Sequence, residues 1–276
     1  MAAMKNPHVF ELNNKTKMPQ IGLGVLFAKN DSEVENAVIS ALSIGYRKID
    51  TASAYQNERG VGIGVKKSGI PREQVFLTTK VWNTDQGYES TLKAFDKSLM
   101  ELQTDYVDMY LIHWPVKTKY KETYGAMEQI YKSGKAKAIG VCNFTVEQLR
   151  DLMEHTHIVP ALNQVEVHPY LSQNRLVQFC IKNGIQLEAW RPIMMGKVAG
   201  IPELTEIGKV YHKSEAQVAL RWLVQKGVAV IPKSVKAERI RENSEIFDFE
   251  LRPSEMSAIE NLNQNKSLGE DLSHIF

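Results

Sequence analysis

The chain has 276 residues, 43% of them hydrophobic and 24% charged, with a formal net charge of +2. A balance this close to neutrality carries no basic field, so nucleic acid is not expected as a partner. No run of about 18 apolar residues is present, so no membrane-spanning helix is expected. The N-terminal stretch MAAMKNPHVFELNNKTKMPQ lacks the apolar core of a signal peptide, and two cysteines, Cys142 and Cys180, make no disulfide framework. These features describe a soluble, cytoplasmic, reduced protein.

In chain order, HVFEL and KTKMP read as a small hairpin ahead of the main fold. IGLGV (21–25) is the first strand. Residues Ser32 to Ile44 read as a helix: Ser32 and Glu35 are spaced as a capping box, and Val34, Ala37, Val38, Ala41 and Leu42 share one face. Gly45 stands where a helix end wants a left-handed residue. Further strands are expected at 46–50 (YRKID), 75–80 (VFLTTK), 106–113 (YVDMYLIH), 136–141 (AKAIGV), 161–167 (ALNQVEV), 185–190 (IQLEAW) and 228–232 (VAVIP). Helical stretches lie between them. Examples are 88–102, with Leu92, Phe95, Leu99 and Leu102 on one face, 145–154 with Thr145 and Gln148 as a capping box, and 214–226 with Ser214 and Gln217 likewise.

Strands joined by helices run parallel. Eight such units predict an α/β fold of the (β/α)8 TIM-barrel type with an N-terminal β-hairpin, the whole of 1–276 forming one domain. The rival is an open doubly wound sheet, which would carry G-x-G-x-x-G after its first strand to hold a dinucleotide. GLGVLF lacks the third glycine, and GVGIGV (60–65) has its glycines out of phase inside a helical stretch.

Barrel chemistry sits at the C-terminal ends of the strands. The second strand ends in Asp50, the third in Lys80 and the fourth in His113, while the sixth carries Gln164 and Glu166 inside its apolar run. Taken singly, each reads as an ordinary loop or core residue. Together, on neighbouring strands, they converge, and Tyr55 on the following loop reaches the same volume. A phenol is a poor acid near neutrality. An adjacent ammonium favours the phenolate, so Lys80 is expected to lower the Tyr55 pKa, with Asp50 holding Lys80 charged. Such a set suits proton donation to a carbonyl oxygen that is gaining charge. No H-E-x-x-H, Cys-rich or G-x-S-x-G pattern is present, and His155 and His157 read as surface residues. A Schiff-base lyase using Lys80 stays open.

The segments GYRKIDTASAYQNE, TTKVWN, YLIHWP, AIGVCNF, NQVEVHP and IPKSVKAERIREN, in this order and spacing, resemble the signatures of the aldo-keto reductases over about residues 8 to 270. The likeness is strongest to short bacterial and protozoan members that reduce glyoxals, keto acids or similar carbonyls, including those like prostaglandin F synthase. The resemblance implies a tetrad of Asp50, Tyr55, Lys80 and His113, with Tyr55 as general acid and NADPH as hydride donor. It implies cofactor contacts from Val25, Leu26, Asp50, Cys142, Asn143, Gln164, Trp190, Arg191, Pro192 and Ile193. Trp190 would stack on the nicotinamide, and Asn143 and Gln164 would hold its carboxamide. Lys233, Ser234, Val235 and Arg239 would take the 2′-phosphate end, and Glu242 and Asn243 the adenine. Leu26, Trp82, His113 and Trp114 would line the substrate pocket, and the partner would be a small-molecule carbonyl. Two departures stand out. Cys142 replaces a usual serine, and Arg191 stands where a serine normally touches the pyrophosphate, which it is expected to bind by charge. A non-catalytic cofactor-sensing subunit of the same fold is the second reading. Substrate choice is expected to lie in the loops at 114–120 and 191–202 and in the tail SLGEDLSHIF, whose shortness suggests an open pocket. No long apolar surface stretch stands out, which points to a monomer.

Overall fold

The computed structural model describes residues 8–30 and 32–269. Strands β1 (Val9–Glu11) and β2 (Lys17–Pro19) pair antiparallel as the expected hairpin, with Phe10 opposite Met18. Eight parallel strands follow: β3 (Leu23–Gly24), β4 (Lys48–Asp50), β5 (Phe76–Val81), β6 (Met109–Ile112), β7 (Ile139–Cys142), β8 (Leu162–Glu166), β9 (Gln186–Trp190) and β10 (Ala229–Val230). They pair in sequence order. Parallel bridges Ile21–Val230 and Gly24–Lys233 join the first strand to the last and close the barrel. Gly24 is required at this seam, because a Cβ there would lie 2.8 Å from the Ile231 carbonyl oxygen. The first and last strands are shorter than their apolar runs suggested, since the seam is made by single bridges rather than a full ladder.

Helices α1 (Ser32–Ile44), α2 (Glu58–Lys67), α3 (Tyr88–Leu102), α4 (Tyr120–Lys132), α5 (Val146–Met153) and α6 (Asn174–Lys182) each link two successive barrel strands. Helices α7 (Pro202–Tyr211) and α8 (Glu215–Gln225) lie between β9 and β10, and α9 (Ala237–Ser244) and α10 (Pro253–Glu260) follow. The capping boxes at Thr145–Gln148 and Ser214–Gln217 form on both sides, satisfying backbone donors that the helix itself leaves open. The Ser32–Glu35 box is corrected. Ser32 is already helical, and Glu35 pairs with Lys67 at 2.6 Å rather than reaching back to Ser32. Gly45 does take positive φ, at 121°.

Side chains alternate across each strand. In β4, Ile49 packs outward with Val34, Val38, Ala41 and Leu42 of α1, while Lys48 and Asp50 face the barrel interior. Burying each Val or Leu side chain contributes about 1.5–3 kcal/mol. Inside, Phe76, Met109, Leu111, Ala138, Leu162 and Ala229 form a separate cluster with Leu12 and Met18 of the hairpin region. The hairpin thus stops the N-terminal end of the barrel and leaves the C-terminal end as the open face.

Candidate active site

The same alternation that buries Lys48 carries Asp50 to the mouth, and Lys80, Gln164 and Trp190 follow it on β5, β8 and β9. After β4 the chain makes a 3-10 turn over Ser53–Tyr55, closed by Gln56 in the left-handed region at φ 55°. Three sets of hydrogen bonds seat this turn. Ser53 Oγ donates to the Lys80 carbonyl at 3.0 Å. Thr51 Oγ1 donates to Asn57 Oδ1 at 2.7 Å. Asn57 Nδ2 donates to the carbonyls of Val25 and Ala28, both at 3.0 Å. The turn carrying Tyr55 is therefore tied to β5 and to the loop after β3.

Lys80 Nζ donates to Asp50 Oδ1 at 2.6 Å, to the Thr51 carbonyl at 2.8 Å and to Tyr55 Oη at 3.4 Å. Burial disfavours the Lys80 ammonium, but Asp50 and Tyr55 outweigh it and hold the pKa above the ordinary lysine value. Tyr55 needs a correction. Lys80 acts to lower its pKa as expected, yet burial is the larger effect, and the phenol is pushed up to about 12. The group is thus a loaded phenol rather than a near-neutral one. Burial, then the Lys80 charge, depresses the His113 pKa well below the usual imidazole value, so His113 is neutral. Its ring stands edge-on to Tyr55 (centroids 5.6 Å apart) and to Trp82 (5.0 Å).

Asn143 joins three strand ends. It adopts φ 63°, a region asparagine tolerates better than most residues. Its Nδ2 donates to the His113 carbonyl and its Oδ1 accepts from Trp190 Nε1, each at 2.9 Å. Gln164 Nε2 donates to Asp50 Oδ2 and to Glu188 Oε2, each at 2.8 Å. Glu188 in turn is ion-paired with Lys48. Cys142 Sγ lies 3.9 Å from Gln164 Oε1, and burial pushes its thiol pKa well up, so it stays a protonated, inert thiol.

One cavity of about 1870 Å³ opens on this face. It brings together Asp50, Tyr55, His113, Trp82 and Trp114 with Val25, Leu26, Asn143, Gln164, Trp190, Arg191, Pro192 and Ile193. It continues to Lys233, Ser234, Val235, Arg239, Glu242 and Asn243 beside α9. Lys80 and Cys142 stand behind its wall, at 0% and 1% exposure. Lys233 and Arg239 are exposed, and neither has an ion-pair partner among the described residues. No cluster of three metal-ligating side chains occurs among the described residues.

Arg191, at φ 53°, directs its guanidinium over the Trp190 ring, 5.2 Å from the centroid, with Nη1 3.9 Å from Glu166 Oε1. Glu166 anchors the C-terminal segment. It accepts from Ser267 Oγ, from the Leu268 amide at 3.0 Å and from the Gly269 amide at 3.3 Å. Leu268 and Gly269 line the cavity; the rest of SLGEDLSHIF, 270–276, lies outside the described residues. Phe27, Gln56, Asn143, Arg191 and Met195, all lining the cavity, are non-glycine residues at positive φ. Such backbone strain gathers at sites whose geometry is over-determined by function. The sequence reading missed the Lys48–Glu188 pair and the Glu166 anchor. The in–out parity of YRKID and IQLEAW was the available signal for the first.

The site thus sets a phenol backed by an ammonium beside a neutral imidazole, inside a deep cleft. Comparison with known proteins gives the family. The model described as the aldo/keto reductase family matches residues 20–264, and the chain belongs to this family and is an oxidoreductase. It is 53% identical over 259 residues to the glyoxal reductase of Bacillus subtilis (strain 168), covering 94% of each chain. It is 47% identical over 274 residues to the 9,11-endoperoxide prostaglandin H2 reductase of Trypanosoma cruzi (strain CL Brener), covering 98% of this chain and 97% of that one. The crystal structure of a Bombyx mori aldo-keto reductase in complex with NADP superposes with a TM-score of 0.91 at 35% identity, covering 97% of this chain and 96% of that chain.

Proposed function

We propose that the protein is an NADPH-dependent reductase of small reactive aldehydes and glyoxals, with Tyr55 as general acid. The observation that carries this reading is the Tyr55–Lys80–Asp50 array beside a neutral His113 in the same cavity as Trp190, Lys233 and Arg239. The residues fit the cofactor. Two cations with no ion-pair partner among the described residues suit a phosphate at one end, and an indole with side-chain amides at the other suits a flat carboxamide-bearing ring. The chemistry NADPH supplies when bound is a hydride for the carbonyl carbon.

His113, neutral, orients the carbonyl oxygen without competing for a charge. Tyr55 gives its phenolic proton to that oxygen as charge develops on it. The Lys80 ammonium, held by Asp50, stabilises the phenolate left behind. Trp82, Trp114 and Leu26 exclude water around the reacting carbon. Lys80 is not read as a Schiff-base nucleophile: its three N–H groups are all engaged, and it does not reach the cavity. The complete tetrad argues against a purely sensing subunit. A monomer is favoured because the exposed large apolar residues, among them Met100, Ile181 and Val210, lie on separate helices. The test is glyoxal-dependent loss of NADPH absorbance with the purified protein, with NADH as control. Turnover that is faster with NADPH supports the reading; no turnover with glyoxal or methylglyoxal under NADPH rejects it.

A further inference from the structure

We propose that the buried Lys48–Glu188 ion pair is a positioning pair, which fixes the Gln164 amide in the orientation that receives the cofactor carboxamide. This rests on the reading of Gln164 as a cofactor contact given above. The pair lies at the barrel's centre, with side chains 1% and 0% exposed. Ion pairs this deeply buried are seldom retained for stability, because apolar replacements of similar volume are often as stable or more so. The fold nevertheless makes room for this one. The Lys48 stem passes over Gly22, where a Cβ would sit 2.8 Å from Lys48 Cγ, and Nζ also lies 3.0 Å from Met18 Sδ.

The consequence falls on Gln164. An amide nitrogen has two hydrogens, and both are spent, one on Asp50 Oδ2 and one on Glu188 Oε2. Exchanging the amide nitrogen and oxygen would press Oε1 against two carboxylates, so the orientation is settled. Oε1 is left as an acceptor, with only the weak Cys142 thiol, at 3.9 Å, bonded to it among the described residues. The Gln164 side chain lines the cavity, so this acceptor suits the N–H of a carboxamide. Lys48 balances the charge of Glu188, as Lys80 balances that of Asp50.

Two double variants separate positioning from packing. Lys48→Met with Glu188→Leu removes both charges and the acceptor facing Gln164. Lys48→Met with Glu188→Gln removes the charges but keeps an amide oxygen there. NADPH dissociation constants from quenching of tryptophan fluorescence are compared beside thermal unfolding. The leucine pair is expected to melt at or above the parent yet bind NADPH about tenfold more weakly, the loss of one buried hydrogen bond. The glutamine pair is expected to return within about threefold of the parent. Equal binding by both pairs, or no recovery in the glutamine pair, overturns the proposal. If the leucine pair does not fold, Lys48→Met with Glu188→Met takes its place; failure of both apolar pairs to fold, with the glutamine pair folded, marks the ion pair as structural and also overturns it. A parent protein that binds no NADPH would instead reject the proposed function.

Discussion

Replacing Lys80 with methionine separates the two tasks assigned to that side chain. At the 3.4 Å between Lys80 Nζ and Tyr55 Oη, a full negative charge on Tyr55 interacts with the ammonium by about 5 kcal/mol at an effective dielectric of about 20. If about half of that charge has developed in the transition state, about 2.5 kcal/mol is lost, and kcat falls by roughly 50- to 100-fold. Stability falls as well. Asp50 is 1% exposed, and among the described residues its carboxylate would keep only the Gln164 amide as a hydrogen-bond partner; breaking a buried pair from one side costs about 3–5 kcal/mol. Adding Asp50→Asn removes the stranded charge. The double variant should regain most of the melting temperature while kcat stays low. The assays are glyoxal-dependent NADPH consumption and thermal unfolding by circular dichroism. A single variant within about threefold of the parent kcat, or a double variant whose activity returns with its stability, would refute the electrostatic role of Lys80.

The pH dependence follows from Tyr55 and His113. Burial holds the phenol protonated up to about 12, and His113 is neutral throughout the ordinary range. Reduction should therefore have a level kcat from about pH 6 to about pH 9, whereas alcohol oxidation, which needs the phenolate, should rise with pH across that interval; a sigmoidal loss of reduction near neutrality would contradict this. Lys233→Ala with Arg239→Ala should raise the KM for NADPH by about tenfold to 100-fold while leaving that for NADH nearly unchanged; parallel rises for both cofactors would show that the two cations do not read the 2′-phosphate. Arg191→Ser should weaken NADPH binding by about tenfold in an equilibrium titration, and tighter binding would mean that the guanidinium crowds the cofactor rather than holding it.

Much of the fold was legible because burial leaves a period in the sequence. The helices at Ser32–Ile44 and Tyr88–Leu102 have the bounds their apolar faces and the glycine at 45 implied. The strands within 21–25 and 228–232 are shorter than those apolar runs because an apolar run reports burial, not ladder pairing, and the seam there rests on bridges. Asp50, Lys80 and His113 were legible as polar endings of apolar strands. Lys48 and Glu188 were not, although they share the inward parity of Asp50 and Trp190, because 140 residues separate them and each alone resembles an outward-facing charge on an edge. The sequence also named the forces on Tyr55 but not their balance: that Lys80 opposes burial follows from proximity, whereas burial prevailing depends on how deeply the turn at Ser53–Tyr55 is seated. Glu166 stands out within its apolar strand, but its three bonds to the C-terminal segment depend on where a distant tail returns.

Tyr55→Phe removes one oxygen and leaves the ring, so it tests the central claim most directly. With NADPH and glyoxal, the account predicts that kcat falls by about a thousandfold or more while NADPH still binds as in the parent. A phenylalanine variant that turns over at the parent rate would show that the proton reaches the carbonyl oxygen from another group, and Tyr55 would not be the acid of this enzyme.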